Sequence, residues 1–165
     1  MSRATGTTTM DAKLLERLHA IDWSLYNTAY GSALNVPDQL QRLLRGGKEA
    51  IAASHDLWCG LCHQHAFVSS AALPALPFIL EALGWADEAL TVEILDILLG
   101  FASCTRPGFA DGFAEGFPWV DELRLRVAEY LPRLRELSGH ANVEIADFAQ
   151  LIIEDLDAGE CLLAM

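Results

Sequence analysis

Val36-Pro37-Asp38-Gln39-Leu40-Gln41-Arg42-Leu43 and Leu76-Pro77-Phe78-Ile79-Leu80-Glu81-Ala82-Leu83 stand forty residues apart and agree at their apolar and proline positions. The same shift lays Ala50, Leu57, Trp58 and Leu61 on Leu90, Ile97, Leu98 and Phe101, and Asp56 on Asp96. Within each stretch the apolar residues recur three and four apart, the spacing of one helix face. A proline near the start fits a helix opened by Pro at an early position, where its missing N–H costs nothing. Gly46-Gly47 and Gly84 then mark the turn into a second helix. One such pair cannot bury its own apolar face, so stability requires neighbouring pairs to stack on it. The expected fold is therefore all-α, a short α-solenoid of stacked antiparallel helix pairs with a period of about 40 residues.

Outward from this repeat the pattern loosens. Met1 to Thr9 carry no apolar period and read as a flexible arm over residues 1–9, leaving a single domain over 10–165. Leu14, Leu15, Leu18, Ile21 and Leu25 form a first helical stripe, with Thr9 or Asp11 as its cap. A degraded third unit begins at Pro118, with Leu123, Val127, Tyr130 and Leu131 in one stripe, and Pro132 should kink or end it. A last helix follows Gly139, with Val143, Ile145, Phe148, Ala149, Ile152 and Leu156 turned inward. Alternating strand signals hardly occur.

Composition sets the class. The 165 residues are 52% hydrophobic and 21% charged, with a mean hydropathy of +0.24, which excludes a disordered or low-complexity chain. Lys and Arg number 11 against 23 Asp and Glu, a formal net charge of -12. That sign excludes a free-standing nucleic-acid binder that neutralises phosphates, and favours a basic protein partner. There is no basic stretch leading into an apolar one at the start and no apolar run of about 18 residues, so no membrane association is expected and the location reads as cytoplasmic. Four cysteines, Cys59, Cys62, Cys104 and Cys161, then read as reduced thiols.

The loudest local motif is Trp58-Cys59-Gly60-Leu61-Cys62-His63-Gln64-His65. As a redox Cys-x-x-Cys it would need a helix N-terminus beneath Cys59, but Cys59 belongs near a helix end, where the dipole opposes a thiolate. As a haem attachment site it lacks an export signal. As a metal site, Cys59, Cys62, His63 and His65 supply the right ligand types, yet His63 points about 100° away from the face of the two cysteines. The forty-residue mates of Trp58, Leu61 and Cys62 are Leu98, Phe101 and Ala102, none of them a ligand, which favours Trp58, Leu61 and Cys62 as core. No nucleophile elbow, phosphate-binding glycine pattern or complete calcium loop is present, so neither catalysis nor a cofactor is expected. Tyr30 reads either as a core aromatic with its hydroxyl bonded to backbone or as a surface contact, and His63 and Gln64 as capping or bridging the unit junction.

Charge is distributed unevenly. Residues 81–122 hold nine acids (Glu81, Asp87, Glu88, Glu93, Asp96, Asp111, Glu115, Asp121 and Glu122) against one base, Arg106, and from His140 onward there are six acids and no Lys or Arg. A block of one sign focuses a field that speeds encounter with an oppositely charged partner. Between the second and third units, Gly108-Phe109-Ala110-Asp111-Gly112-Phe113-Ala114-Glu115-Gly116-Phe117 repeats glycine and phenylalanine every four residues and reads as an acidic-aromatic loop. Its phenylalanines suit a plug beneath the solenoid or a contact surface. The expected partner-binding residues are Asp56, Glu93, Asp96, Phe109, Asp111, Phe113, Glu115 and Trp119.

The landmarks Trp23, Ala29-Tyr30-Gly31-Ser32-Ala33, Val36-Pro37 and Leu40, followed by Leu61-Cys62-His63-Gln64 and Ala72-Leu73-Pro74-x-x-Pro77-Phe78-Ile79, resemble bacterial HEAT-like repeat proteins. The resemblance covers residues 14 to 102 and leaves the glycine-phenylalanine loop unmatched. It implies a small α-solenoid without enzymatic activity. Some such proteins are similar to immunity proteins that neutralise a cognate toxin, which implies a partner that is a basic bacterial toxin domain. A general scaffold or adaptor of the same architecture is the alternative, and a metal-binding protein using Cys59, Cys62, His63 and His65 the third.

Overall fold

The computed structural model describes residues 12–107 and 117–164, with side chains as far as residue 157. A first helix, α1, runs through residues 12–19 and buries Leu14 and Leu18. The chain then folds back, because the indole Nε1 of the buried Trp23 donates to the Leu18 carbonyl at 2.8 Å. A short antiparallel hairpin follows, β1 (Asn27–Thr28) with β2 (Gly31–Ser32), its tight turn helped by Gly31 at φ 117. Two-residue strands are too short to show alternation, which is why the sequence carries no strand signal there.

Four helices build the centre: α2 (Val36–Arg45), α3 (Gly47–Leu61), α4 (Ala72–Leu83) and α5 (Glu88–Cys104). Helix α2 has Pro37 in its first turn and stops at Gly46, where φ is 78 and a side chain would be strained. Helix α5 starts at a true cap, the Asp87 carboxylate accepting from the Leu90 N–H at 2.9 Å. Pro77 does not open its helix. Helix α4 begins five residues earlier at Ala72 and runs through Pro77, which lies on the exposed face. An interior proline costs about 3 kcal/mol, and here the other faces of α4, with Ala75, Leu76, Phe78, Ile79, Ala82 and Leu83, are buried deeply enough to hold the helix together.

Helix α2 packs against α3 and α4, and α5 against α3 and α4. Helix α5 is enclosed further by α6 (Pro118–Ala128) and α8 (Val143–Ala164), while α7 (Leu131–Leu137) packs on α8. Ile94, Leu95, Ile97, Leu98 and Phe101 of α5 are consequently almost fully buried, each side chain contributing roughly 1.5–3 kcal/mol over its exposed state. Arg124 of α6 fastens the far end, donating to the carbonyls of Ala102 at 3.0 Å, Asp155 at 2.7 Å and Leu156 at 3.0 Å. The Ala102 carbonyl belongs to the last turn of α5, where no intrahelical partner exists. As expected from Pro132, the third apolar stripe is split between α6 and α7.

Some inward assignments are corrected. Leu25 is exposed because it lies beyond α1, in a 3-10 turn leading to the hairpin, and Val143 is exposed because it stands at the first position of α8. The arm at residues 1–9, the caps at Thr9 or Asp11 and the loop over 108–116 lie outside the described residues. Among the described residues no helix is long and apolar enough to cross a membrane.

Among the described glycines, the one most closely approached by another segment is Gly100 of α5. A Cβ there would meet Cys62 Sγ at 2.6 Å, His65 Cδ2 at 2.8 Å and Cys62 Cβ at 2.9 Å. We predict that Gly100→Ala destabilises the protein by about 1–3 kcal/mol, read as a lower urea midpoint at unchanged slope. Gly60→Ala, whose Cβ would meet Thr28 at an ordinary 3.6 Å, is expected to stay within about 0.5 kcal/mol of the parent.

Candidate functional site

The last two turns of α3 place His55 and Asp56 on the outside and Trp58 and Cys59 half-buried, while Leu57, Leu61 and the following Cys62 are buried. The helix ends without a glycine. Instead His63, Gln64 and His65 take φ values of 38, 55 and 68, three successive residues in the left-handed region. Such a backbone costs an ordinary residue roughly 1–2 kcal/mol, so tertiary contacts must hold it.

The holding contact is His65. Its Nε2 lies 2.8 Å from the Asp96 carbonyl oxygen and 2.8 Å from Asp96 Oδ1, so this nitrogen carries the proton and donates to both. The hydrogen bond to the Asp96 carboxylate raises the His65 pKa against an opposing desolvation, with the charges of Asp96 and Asp155 adding to the rise. The missing side chain at Gly100 makes the approach possible. Around this clamp the rings form a row: His55 to Trp58 at 5.7 Å, and Trp58 to His65 at 5.9 Å between centroids. On the other side of the turn, His63 stacks on Phe67 at 4.8 Å and meets Tyr30 edge-on at 6.0 Å. The polar cost is visible too, because Trp58 Nε1 and His63 Nδ1 are buried without a hydrogen-bond partner among the described residues.

Tyr30 is not a core residue. It is 71% exposed at the tip of the hairpin, which is tied down by the Ala29 N–H donating to the Gly60 carbonyl at 2.8 Å and the Ala71 N–H donating to the Asn27 carbonyl at 3.1 Å. Its hydroxyl lies beside Cys59, and desolvation, then the charge and hydrogen bond of that thiol, raise its pKa. Between hairpin and α3 is a depression of about 310 Å³ whose walls include Tyr30, Asn35, Gln39, His55, Asp56 and Cys59.

The cysteine-histidine motif divides rather than converging. Cys62 is buried against Gly100, its Sγ donating to the Trp58 carbonyl at 3.3 Å, and burial pushes its pKa far up. Burial pushes the Cys104 thiol up to about 12. A buried thiol held protonated is a poor nucleophile. Cys59 faces the other way, with its Sγ 3.7 Å from His55 Nε2. Among the described residues no group of three or more His, Cys, Asp or Glu side chains is placed to hold a metal ion, so Cys59, Cys62, His63 and His65 do not form the metal site that their sequence permits.

Of the expected contact residues, Asp56, Glu93, Asp96 and Trp119 are described. Asp56 is exposed and pairs with Arg42 at 3.6 Å, while Arg42 also binds Asp38 at 3.1 Å. Asp96 is largely engaged by His65. Glu93 is half-buried on α5, without an ion-pair partner among the described residues. Trp119 lines a different groove with Leu25, Phe67 and Phe117. Phe109, Asp111, Phe113 and Glu115 lie outside the described residues. Sequence reasoning missed the role of Gly100, although Gly60 and Gly100 themselves stand forty residues apart. Most arginines after residue 100 serve the fold: Arg106 pairs with Asp155 at 3.4 Å, Arg126 with Glu122 and Glu129 at 3.6 and 3.2 Å, and Arg133 with Glu136 at 2.8 Å. Glu88, Asp121, Glu144, Asp147 and Asp157 stand exposed without a cationic partner among the described residues.

Comparison of the chain with protein-family models, with curated proteins and with solved structures finds no match.

Folding favours protonated His65, so the electrostatic contribution of the clamp is full below the ordinary imidazole pKa and fades as pH rises through the raised one. Asp96→Asn should lower the His65 pKa, followed by its ring proton shifts, and cost about 1 kcal/mol on the acid side with a smaller loss at alkaline pH. Gln64→Gly should raise stability by about 1 kcal/mol in urea unfolding, because Gln64 is exposed and glycine occupies its φ of 55 without penalty.

Proposed function

We propose that the chain is a non-catalytic, protein-binding α-solenoid of HEAT-like helix pairs. Its most concrete role is that of a cytoplasmic immunity protein, which binds a basic bacterial toxin domain and occludes its working surface. The solenoid reading is supported by the way first helices pack on first helices and second on second, α2 with α4 and α3 with α5. It is supported again by Gly60 and Gly100, one in each second helix, each lying where a preceding segment crosses. The observation that carries the binding reading is electrostatic. Arg106, Arg124, Arg126 and Arg133 are consumed in pairs and carbonyl contacts within the fold, while Glu88, Asp121, Glu144, Asp147 and Asp157 are left exposed and unmatched among the described residues. Unmatched charge of one sign costs folding free energy by self-repulsion and speeds encounter with a cation-rich surface.

The test is affinity capture from the source organism with the full chain as bait, followed by mass spectrometry. The immunity reading expects a basic domain encoded beside this gene; a partner without such a neighbour identifies the scaffold or adaptor alternative. With the captured domain, Glu88→Lys combined with Asp147→Lys is expected to slow association about tenfold at low ionic strength and to flatten its salt dependence. An association rate unchanged by salt and by both reversals overturns the steering mechanism.

A further inference from the structure

We propose that the depression between the hairpin and α3 is a receptor site for an arginine side chain presented by the protein partner. This deepens the reading of a basic partner and rests on it. The depression holds about 310 Å³, at the small end of ligand pockets and suited to a single long side chain. Its lining selects by charge. Asp56 is the one carboxylate among the lining residues, no Lys or Arg lines it, and the Asn35 and Gln39 amides add oxygens that accept hydrogen bonds. The Tyr30 ring supplies an exposed aromatic wall, the surface on which a guanidinium stacks.

Other occupants fit less well. An anion would meet the Asp56 carboxylate. A metal ion would find Cys59 Sγ and His55 Nε2 3.7 Å apart, about the separation of two ligands on a tetrahedral ion, but no third His, Cys, Asp or Glu completes the set among the described residues. An apolar group would displace water from amides and a carboxylate without replacing their hydrogen bonds. A guanidinium satisfies them, because its planar fork can bind a carboxylate side-on while its face lies on a ring.

The protein already makes a weak version of this contact. Arg42 reaches Asp56 at 3.6 Å while bound more closely to Asp38 at 3.1 Å. An incoming guanidinium would compete with Arg42 for Asp56. The walls are also set in advance: the hairpin is bonded to the Gly60 carbonyl at 2.8 Å, and Tyr30 rests edge-on against His63. Little order has to be gained on binding.

The experiment is a titration of the full chain with N-acetyl-arginine amide, followed by backbone amide shifts, with the citrulline analogue as the uncharged isostere. Shifts are expected to cluster at residues 28–39 and 55–60 and to be absent with citrulline. Tyr30→Ala and Asp56→Asn, both at exposed side chains, should weaken binding several-fold, while the same spectra report whether the fold is intact. Arg42→Gln should tighten it about two- to fivefold, the worth of one exposed ion pair. A merely structural role for these residues would not produce opposite signs. No saturable shifts, shifts elsewhere, equal binding of citrulline, or an Arg42→Gln variant that binds no more tightly each overturn the site. Because the titration needs no partner, its failure leaves the acidic-surface reading standing. Capture of a partner that is not basic overturns that reading independently.

Discussion

The left-handed turn at His63–His65 packs on α5 where Gly100 has no side chain. Three non-glycine residues in that region cost more than a short loop returns, and the compensation comes from what the turn touches: Cys62 and His65 lie within reach of a Cβ that Gly100 does not have, and His65 bonds Asp96 twice. The contact also decides the path of the chain. It draws the link between α3 and α4 across α5, so that α5 is covered by α3, α4, α6, α8 and the turn itself. A helix enclosed this far has no solvent face wide enough for amphipathic alternation, and its sequence from Leu90 to Phe101 is nearly all apolar or small. Its two charged residues are Glu93 and Asp96, and of this stretch Asp96 and Gly100 are the residues that dock the turn.

Charge is arranged by the same economy of partners. Arg124 is committed to the carbonyls of α5 and α8, and Arg106, Arg126 and Arg133 to nearby carboxylates. What remains charged on the surface of the second half is, Arg135 apart, mainly acidic. Asp96 differs from Glu88 or Asp147 in that its carboxylate is spent on His65, so its value is positional. A partner that reads negative charge would read the carboxylates left without arginines, which is not the same set as the carboxylates most conspicuous in the sequence.

The helices of the centre are legible because their apolar residues recur at three and four, a spacing that the sequence matches again at a shift of forty. Boundaries are less so. Pro37 and Pro77 look alike in sequence, yet α2 starts beside the first and α4 more than a turn before the second, since the apolar face of α4 extends back to Ala72. Tyr30 and the hairpin escape a sequence reading for another reason. An aromatic next to glycine reads as core by composition, whereas its position depends on hydrogen bonds to Gly60 and on a carbonyl of Asn27 accepting from Ala71, contacts of long range that leave no local signature. In the Cys-x-x-Cys-His motif, the mates Leu98, Phe101 and Ala102 point to packing, but only the fold separates inward Cys62 from outward Cys59.

The turn and the hairpin are mechanically linked, and this bears on what the surface can do. Tyr30 leans on His63, His63 on Phe67, and the far end of the same turn is anchored through His65 to α5. The backbone between those rings is the strained one, so its geometry is set by the anchor and not by local preference. Tyr30 therefore stands where it does partly because Gly100 admits Cys62 and His65, residues that face α5 and not the depression that Tyr30 lines. A side chain added at Gly100 would push the turn outward and carry the His63 ring with it, withdrawing the support beneath an exposed tyrosine. A core glycine is in this way a determinant of surface shape, and the position of the aromatic wall is specified by packing against α5 and not by the hairpin sequence alone.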